Sequence, residues 1–183
     1  MNEIETKRMI TRAMSEGVVF FMDKRLQIRL AEENDIVRVH ELIKLTVNVS
    51  WPSYYPQGAI TYVIQNDFSP DKLRQKIAGS HFYVVIDAGG IIGCGGIKPL
   101  DDKPDESVIF TIFVAPNYQG RGIGNTIMKT LENDEYGKRA KRIEISSSLL
   151  AVPFYKKHGY EHKNGMLNYE LGQFNMEKLL EGK

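Results

Sequence analysis

The chain has 183 residues, with 24 Lys plus Arg against 23 Asp plus Glu, so its formal net charge is +1. This length suits one domain with a substantial core, and the balanced charge gives no reason to expect a nucleic acid or an acidic membrane as partner. No apolar run is long enough to span a bilayer, and the single cysteine cannot form an internal disulfide. We therefore expect a cytoplasmic protein.

The N-terminal part of the chain divides into a polar stretch and the start of a fold. Residues 1–24 are predicted to be an N-terminal appendage, and residues 25–183 to form one domain. Residues 27–30 alternate enough for a strand, and Asn34 or Asp35 offers an N-cap to the helix that follows. That helix carries an apolar face made of Ile36, Val39, Ile43 and Val47.

The next segment is aromatic and then helical. Ser69-Pro70 is a cap-plus-first-turn signal for a helix that bears Leu73 and Ile77. Residues 81–86 and 91–97 are predicted strands, and the small residues between them permit a tight hairpin. The aromatic residues that precede this helix are Trp51, Tyr54, Tyr55 and Tyr62.

The second half of the chain is predicted to alternate between strands and helices. Residues 108–114 are almost wholly apolar, which predicts a central strand buried on both faces. Ile123, Ile127 and Leu131 recur at fourfold spacing and predict a helix to about Tyr136, with Gly137 as its stop. A strand over residues 141–146, a short helix over 154–158 and closing strands follow.

A glycine-rich loop joins the central strand to that helix, with the sequence Gln119-Gly120-Arg121-Gly122-Ile123-Gly124. Free N–H groups and the dipole at a helix start attract anions, and glycine lets the backbone approach them closely. A P-loop would need Lys-Ser or Lys-Thr after its last glycine, but Asn125-Thr126 follows here. A dinucleotide fingerprint would follow the first strand of a parallel sheet, and this loop follows an apparent fourth strand.

This loop and its surroundings resemble the GCN5-related N-acetyltransferases (GNAT). Their coenzyme A signature is Gln or Arg, two residues, Gly, one residue, then Gly or Ala, and residues 119–124 match it fully. Residues 113–116 look like the family's fourth strand and its exit, and residues 151–160 look like its later helix-turn-strand motif. The resemblance covers the chain from about Gln27 onward and is strongest over residues 108–160.

The resemblance implies a fold, a cofactor and an activity. The fold is a single α/β (α+β) domain with a mixed, mostly antiparallel sheet of six to seven strands flanked by about four helices. The activity is transfer of an acetyl group from acetyl-CoA to a primary amine, directly within a ternary complex. Predicted cofactor-binding residues are Ile112, Phe113 and Val114 on the fourth strand, the loop residues Gln119, Gly120, Arg121, Gly122, Ile123 and Gly124, and Asn125, Thr126 and Ser148.

Two residues are candidates for catalysis. Tyr155 occupies the family's general-acid position, from which a hydroxyl can protonate the departing thiolate. Many relatives carry a Glu early in the fourth strand as general base, but the aligned residue here is Val108. Glu106 is therefore the nearest candidate, with Glu144 on the next strand as the alternative, and either could act through water. Cys94, in a glycine-rich apolar strand, is predicted to be a packing residue and not a covalent nucleophile. We expect no metal, because Gly159 interrupts any helix that would pair His158 with His162.

The acceptor is the least specified part of the prediction. Trp51, Tyr54 and Tyr55 are predicted to face the substrate, since aromatic rings bind ammonium groups. The acidic residues Asp101, Asp102, Asp105 and Glu106 could attract a cationic or amino-acid-like amine. Two alternatives stay open: a non-catalytic acyl-CoA-binding regulatory module, and a protein or peptide N-acetyltransferase. A homodimer would fit the strand pairing between subunits that is common in the family.

Overall fold

The computed structural model describes residues 26–165, 169–170 and 173–180, so the predicted appendage lies outside the described residues. Its helices and strands, in chain order, are β1 (Gln27–Leu30), α1 (Ile36–Ser50), α2 (Gln57–Asn66), α3 (Pro70–Ala78), β2 (His81–Asp87), β3 (Gly90–Leu100), β4 (Lys103–Val114), α4 (Ile123–Asn133), α5 (Glu135–Arg139), β5 (Arg142–Ser147), α6 (Val152–Lys157), β6 (Glu161–His162), β7 (Tyr169–Glu170) and β8 (Gln173–Leu179).

All the strands belong to one mixed sheet with the order β1-β2-β3-β4-β5-β8-β6, and β7 also pairs with β8. Among the described strands only the β4–β5 pair is parallel, and the other pairings are antiparallel. The predicted fold class is therefore confirmed. The described residues add a two-residue β7 to the seven strands of the main path, and two of their six helices, α5 and α6, are short.

Each face of the sheet carries its own hydrophobic core. One core packs α1 and α3 against the sheet and includes Ile43, Leu73 and Val84. The other packs α4 against the opposite face and includes Leu131 and Val85. Val84 and Val85 are neighbours on β2 and fall in different cores because successive strand residues point to opposite faces. Both faces of the sheet are therefore covered by helices.

Two details of the predicted elements are wrong. The helix after the glycine loop ends at Asn133, because Asp134 takes an extended conformation (φ −61°, ψ 158°) and its Oδ1 accepts a hydrogen bond from the Tyr136 N–H at 2.9 Å. Asp134 thus ends α4 and caps α5, and Gly137 lies inside α5. Within residues 108–114 only Ile109 is buried, while the others are half-buried.

None of the helices in the described ranges is long and apolar enough to cross a membrane. The cytoplasmic location itself stays a prediction.

Candidate active site

The sheet opens between its two parallel strands. β4 and β5 pair only from Glu106 with Arg142 to Ile109 with Ile145. Beyond Ile109 the two strands no longer pair, although β5 continues along β8 to Ser147. A bulge accompanies this opening, because Thr111 has a φ of 56° and the pairing of β4 with β3 shifts between Phe110 and Phe113. Backbone groups at the end of β4 therefore border a gap.

A cavity of about 770 Å³, here called the central cavity, fills this gap. The end of β4 (Phe110 to Val114) forms one wall, and the segments after β5, with Ser148 and Tyr155, form another. Side chains from the helical layer close it, among them Trp51, Phe68 and Lys76. The half-burial of the end of β4 follows from this cavity, since one edge of that strand has no neighbouring strand.

The glycine loop forms one end of the central cavity. Gly120 and Gly122 have φ values of 74° and 84°, and a Cβ at either position would meet nothing within 4 Å. Gly122 is the N-cap of α4, which runs for 11 residues. The Gln119 side chain donates a hydrogen bond to the Val114 carbonyl at 3.1 Å and holds the turn. Left-handed glycines at the start of a helix leave room for an anion at its free N–H groups.

Most of the predicted cofactor-binding residues line the central cavity. They are Ile112, Phe113, Val114, Gln119, Gly120, Gly122, Gly124, Asn125 and Ser148.

The other three predicted cofactor-binding residues do not line the cavity. The Arg121 guanidinium lies over the Tyr118 ring at 5.1 Å from its centroid, and Ile123 is 4% exposed in the core. The Thr126 hydroxyl donates to the Gly122 carbonyl at 3.3 Å. A cofactor role for Arg121 through its charge, and for Ile123 and Thr126 through their backbone, stays a prediction.

Tyr155 lies in the wall of the central cavity, on α6. Its ring is 5% exposed and is held by edge contacts with Phe154 and Tyr160. No described residue makes a hydrogen bond with its hydroxyl, whereas the Tyr160 hydroxyl bonds Glu132. Burial raises the pKa of Tyr155 above its ordinary value of about 10, so the hydroxyl keeps its proton at neutral pH.

The structure does not bring Glu106 to the cavity. Its carboxylate accepts a hydrogen bond from Arg142 Nε at 3.1 Å, and Arg142 also pairs with Glu144 and Glu177. The hydrogen bond from Arg142 lowers the pKa of Glu106, with burial acting against it. A carboxylate held in this way is a weak proton acceptor, and it lies at the closed end of the β4–β5 pair. The geometry therefore argues against Glu106 as general base.

The three aromatic residues that were predicted to face the substrate lie in different positions relative to the cavity. Trp51 lines the central cavity, and the Tyr55 ring packs on it with centroids 4.9 Å apart. The Tyr55 hydroxyl accepts a hydrogen bond from the Leu149 N–H at 3.1 Å. Tyr54 is 55% exposed and is not part of the cavity wall. The Tyr55–Leu149 hydrogen bond joins the segment after α1 to the segment after β5, but neither residue lines the cavity.

Sequence reasoning missed Lys76, Phe68 and Thr111, all of which line the cavity. None sits in a short motif, and a β-branched residue with positive φ has no sequence signal. The structure also does not support the prediction that acidic residues attract the amine to the site, because Asp101 and Asp102 are exposed in the β3–β4 turn. Among the described residues that line the cavity, none is Asp, Glu or His.

Cys94 is fully buried, as predicted for a packing residue. Burial raises the pKa of its thiol to about 12, so at neutral pH it is not a thiolate nucleophile.

Known proteins that are similar to this chain point to one family. The family model described as "Acetyltransferase (GNAT) domain" matches residues 78–162, a range that includes the glycine loop and Tyr155. This match supports assignment of the chain to the GNAT superfamily. The family model and two curated relatives described as N-acetyltransferases support the predicted enzyme class, an acyl-CoA-dependent N-acetyltransferase.

Individual relatives agree with this assignment. The chain is 28% identical over 108 residues to the uncharacterized N-acetyltransferase YjcF of Bacillus subtilis, covering 59% of this chain and 75% of YjcF. It is 24% identical over 136 residues to the uncharacterized N-acetyltransferase YafP of Escherichia coli, covering 74% and 81%. The PaiA N-acetyltransferase of Thermoplasma acidophilum, solved in complex with coenzyme A, shares the GNAT fold with a TM-score of 0.72 at 18% identity, covering 85% and 99%.

Replacing Glu106 by Gln is expected to leave the rate of thiol release from acetyl-CoA nearly unchanged. A general base contributes about 100-fold or more to a rate, so a loss of that size would restore Glu106 to the mechanism. The variant should instead lower the free energy of unfolding. Because the folded-state pKa of Glu106 is lowered, its contribution is present above the unfolded pKa of about 4.3 and is lost as the pH falls through the folded value.

Urea unfolding at several pH values checks the stability effect. The deficit of Glu106→Gln relative to wild type should be largest near pH 7 and should shrink below pH 4. An equal deficit at pH 7 and pH 3 would contradict the ion-pair assignment.

Proposed function

We propose that the chain transfers the acetyl group of acetyl-CoA to the primary amine of a small molecule, by direct attack within a ternary complex. One observation carries the proposal: a single cavity of about 770 Å³ connects the glycine loop, the open end of β4, the Tyr155 wall and the Trp51 side chain. A donor held at the loop end and an acceptor held at the Trp51 end would share one space. Direct transfer needs this arrangement.

The residues present fit coenzyme A. The open space beside the left-handed Gly120 and Gly122, at the start of an 11-residue helix, suits a pyrophosphate. Arg121 is exposed beside this loop and can add charge. The unpaired end of β4, with Ile112, Phe113 and Val114, would offer backbone groups to the pantetheine arm and the acetyl oxygen. When bound, acetyl-CoA supplies a thioester, which is an activated acetyl donor.

The acetyl transfer requires two proton transfers, together with the formation of one bond and the cleavage of another. The amine nitrogen forms a bond to the acetyl carbon while the carbon–sulfur bond breaks, the sulfur gains a proton and the nitrogen loses one. Tyr155 is proposed as the proton donor to sulfur, because it lines the cavity with a protonated hydroxyl that no described residue binds. No described Asp, Glu or His lines the cavity, so we propose that water carries the amine proton away.

The hydrogen bond between Tyr55 and Leu149 supports a small acceptor over a peptide. The bond, 3.1 Å long, lies beside the cavity wall, because Tyr55 packs on Trp51 and Leu149 lies between Ser148 and Leu150. An extended peptide would need an open groove there. The homodimer stays a prediction, which sedimentation of the full chain would test.

Thiol release from acetyl-CoA, measured with a panel of small amines and a panel of peptides, tests the proposal. We expect release with at least one small amine and none above background with the peptides. Release with peptides alone would favour a protein or peptide N-acetyltransferase. Coenzyme A binding by calorimetry, without release for any acceptor, would favour the regulatory module.

A further inference from the structure

Lys76 stands out among the residues of the central cavity because it is the only Lys or Arg that lines it among the described residues. It lies in the last turn of α3, and its ammonium sits over the Phe68 ring at 4.7 Å from the centroid. Phe68 in turn makes an edge contact with Phe113 of β4 at 5.2 Å. This chain of contacts holds the Lys76 side chain against the helical wall, near the open end of β4.

The Lys76 ammonium forms no ion pair with a described carboxylate, unlike Arg74 two residues earlier, which pairs with Glu33 and Asp71. The negative charge that acts on Lys76 is that of Asp67, which is exposed and makes no ion pair with it. Burial lowers the pKa of Lys76, and the charges of Asp67 and Lys72 act on it in opposite directions. An ammonium that is partly desolvated and unpaired is costly, and an incoming anion offsets that cost.

We propose that Lys76 binds an anionic group of the acceptor, in the first place a carboxylate, so that the acceptor is an amino acid or a related amino acid-like molecule. This inference rests on the proposed function, and it names the substrate class for that site. The carboxylate would lie beside Lys76 and Phe68, and the amino group would point toward the open end of β4. The wall combines one cation with aromatic rings and hydroxyl groups and has no described carboxylate, so it suits an acid with an uncharged side chain.

The same arrangement disfavours a polycationic acceptor. The cavity wall carries one ammonium and no described carboxylate, so a second positive charge on the acceptor would be repelled and left unpaired. The acidic residues that suggested a cationic amine from sequence lie elsewhere: Asp101 and Asp102 are exposed in a turn, and Glu106 pairs with Arg142.

Matched pairs of acceptors test the assignment. Phenylalanine with phenethylamine, and leucine with isoamylamine, differ by one carboxylate. We expect kcat/KM for thiol release to favour the acid of each pair in wild type by about 10-fold or more, after correction for the fraction of neutral amine. Lys76→Met should remove this preference by raising KM for the acids, and Lys76→Arg should retain most of it. The affinity for coenzyme A, measured by calorimetry, should be the same in all three proteins.

Product binding gives a readout that needs no turnover. N-acetylphenylalanine should bind the coenzyme A-loaded wild-type protein more tightly than N-phenethylacetamide, and Lys76→Met should abolish the difference. Failure of the acid to bind more tightly than the amide, or an unchanged preference in Lys76→Met, would overturn the assignment. A loss of coenzyme A affinity in Lys76→Met would also overturn it and move Lys76 to the cofactor. Failure of the proposed function itself would differ, because wild type would then release no thiol with any acceptor.

Discussion

Gly122→Val is expected to lower the affinity for coenzyme A by about 100-fold or more, measured by calorimetry. Gly122 has a φ of 84° and is the N-cap of α4. A β-branched residue disfavours that backbone conformation, and its side chain would enter the open space where we place the pyrophosphate. Both effects act on the start of the helix, which supplies the free N–H groups.

Gly89→Val is the matched control for this variant. Gly89 also has a left-handed backbone, with a φ of 79°, and a Cβ there also meets nothing within 4 Å. It lies in the turn between β2 and β3, outside the residues that line the cavity. The control should therefore show a similar loss of stability with unchanged coenzyme A affinity. Wild-type affinity in Gly122→Val, or an equal loss in both variants, would show that the phosphate site has been misplaced.

The geometry of the glycine loop is predictable from the sequence because it depends on local chemistry. A loop with glycines at 120 and 122 followed by an amphipathic helix specifies its own backbone geometry, and the structure has both glycines at positive φ. Resemblance to the family predicts a role for Tyr155, which lies in α6 with Pro153 in the first turn. The structure then put it in the same cavity as the loop.

The acceptor end was not predictable in the same way, because it is assembled from distant segments. Lys76 and Trp51 lie on or beside different helices, and Thr111 belongs to a bulge that only the pairing of β4 with β3 defines. Glu106 is the reverse case, because the sequence suggests a catalytic role and the structure places the residue away from the cavity. Its position next to the central strand suggested catalysis, but the parallel register of β4 and β5 sets it opposite Arg142. Charge partners across a sheet depend on register, which a single sequence does not state.

The division of the cavity has a consequence for specificity. In the proposed mechanism the donor end binds through backbone groups, and the acceptor end binds through Lys76 and aromatic side chains. Function depends on such side chains and not on the fold alone. Acceptor selectivity should therefore respond to substitutions in α3 and after α1 without a change in coenzyme A affinity.

Tyr155→Phe is expected to lower kcat by about 100-fold while leaving coenzyme A affinity nearly intact. Loss of the hydroxyl removes the proposed proton donor to sulfur, and the ring keeps its contacts with Phe154 and Tyr160. Thiol release and calorimetry on the same preparation measure the two quantities. A fully active variant would remove Tyr155 from the mechanism.

Tyr160→Phe separates this role from the loss of any buried hydroxyl. Tyr160 is fully buried, its hydroxyl bonds Glu132 at 3.2 Å, and it does not line the cavity. Its substitution should cost about 1 kcal/mol of stability and leave kcat unchanged.

The raised pKa of Tyr155 provides a pH test of its role. Because the pKa of the hydroxyl lies above the ordinary tyrosine value of about 10, ionisation of Tyr155 should not lower the wild-type rate up to about pH 10. If kcat instead decreased between pH 8 and pH 9 in wild type but not in Tyr155→Phe, the hydroxyl would be titrating in the cavity, and burial would not be the factor that sets its pKa.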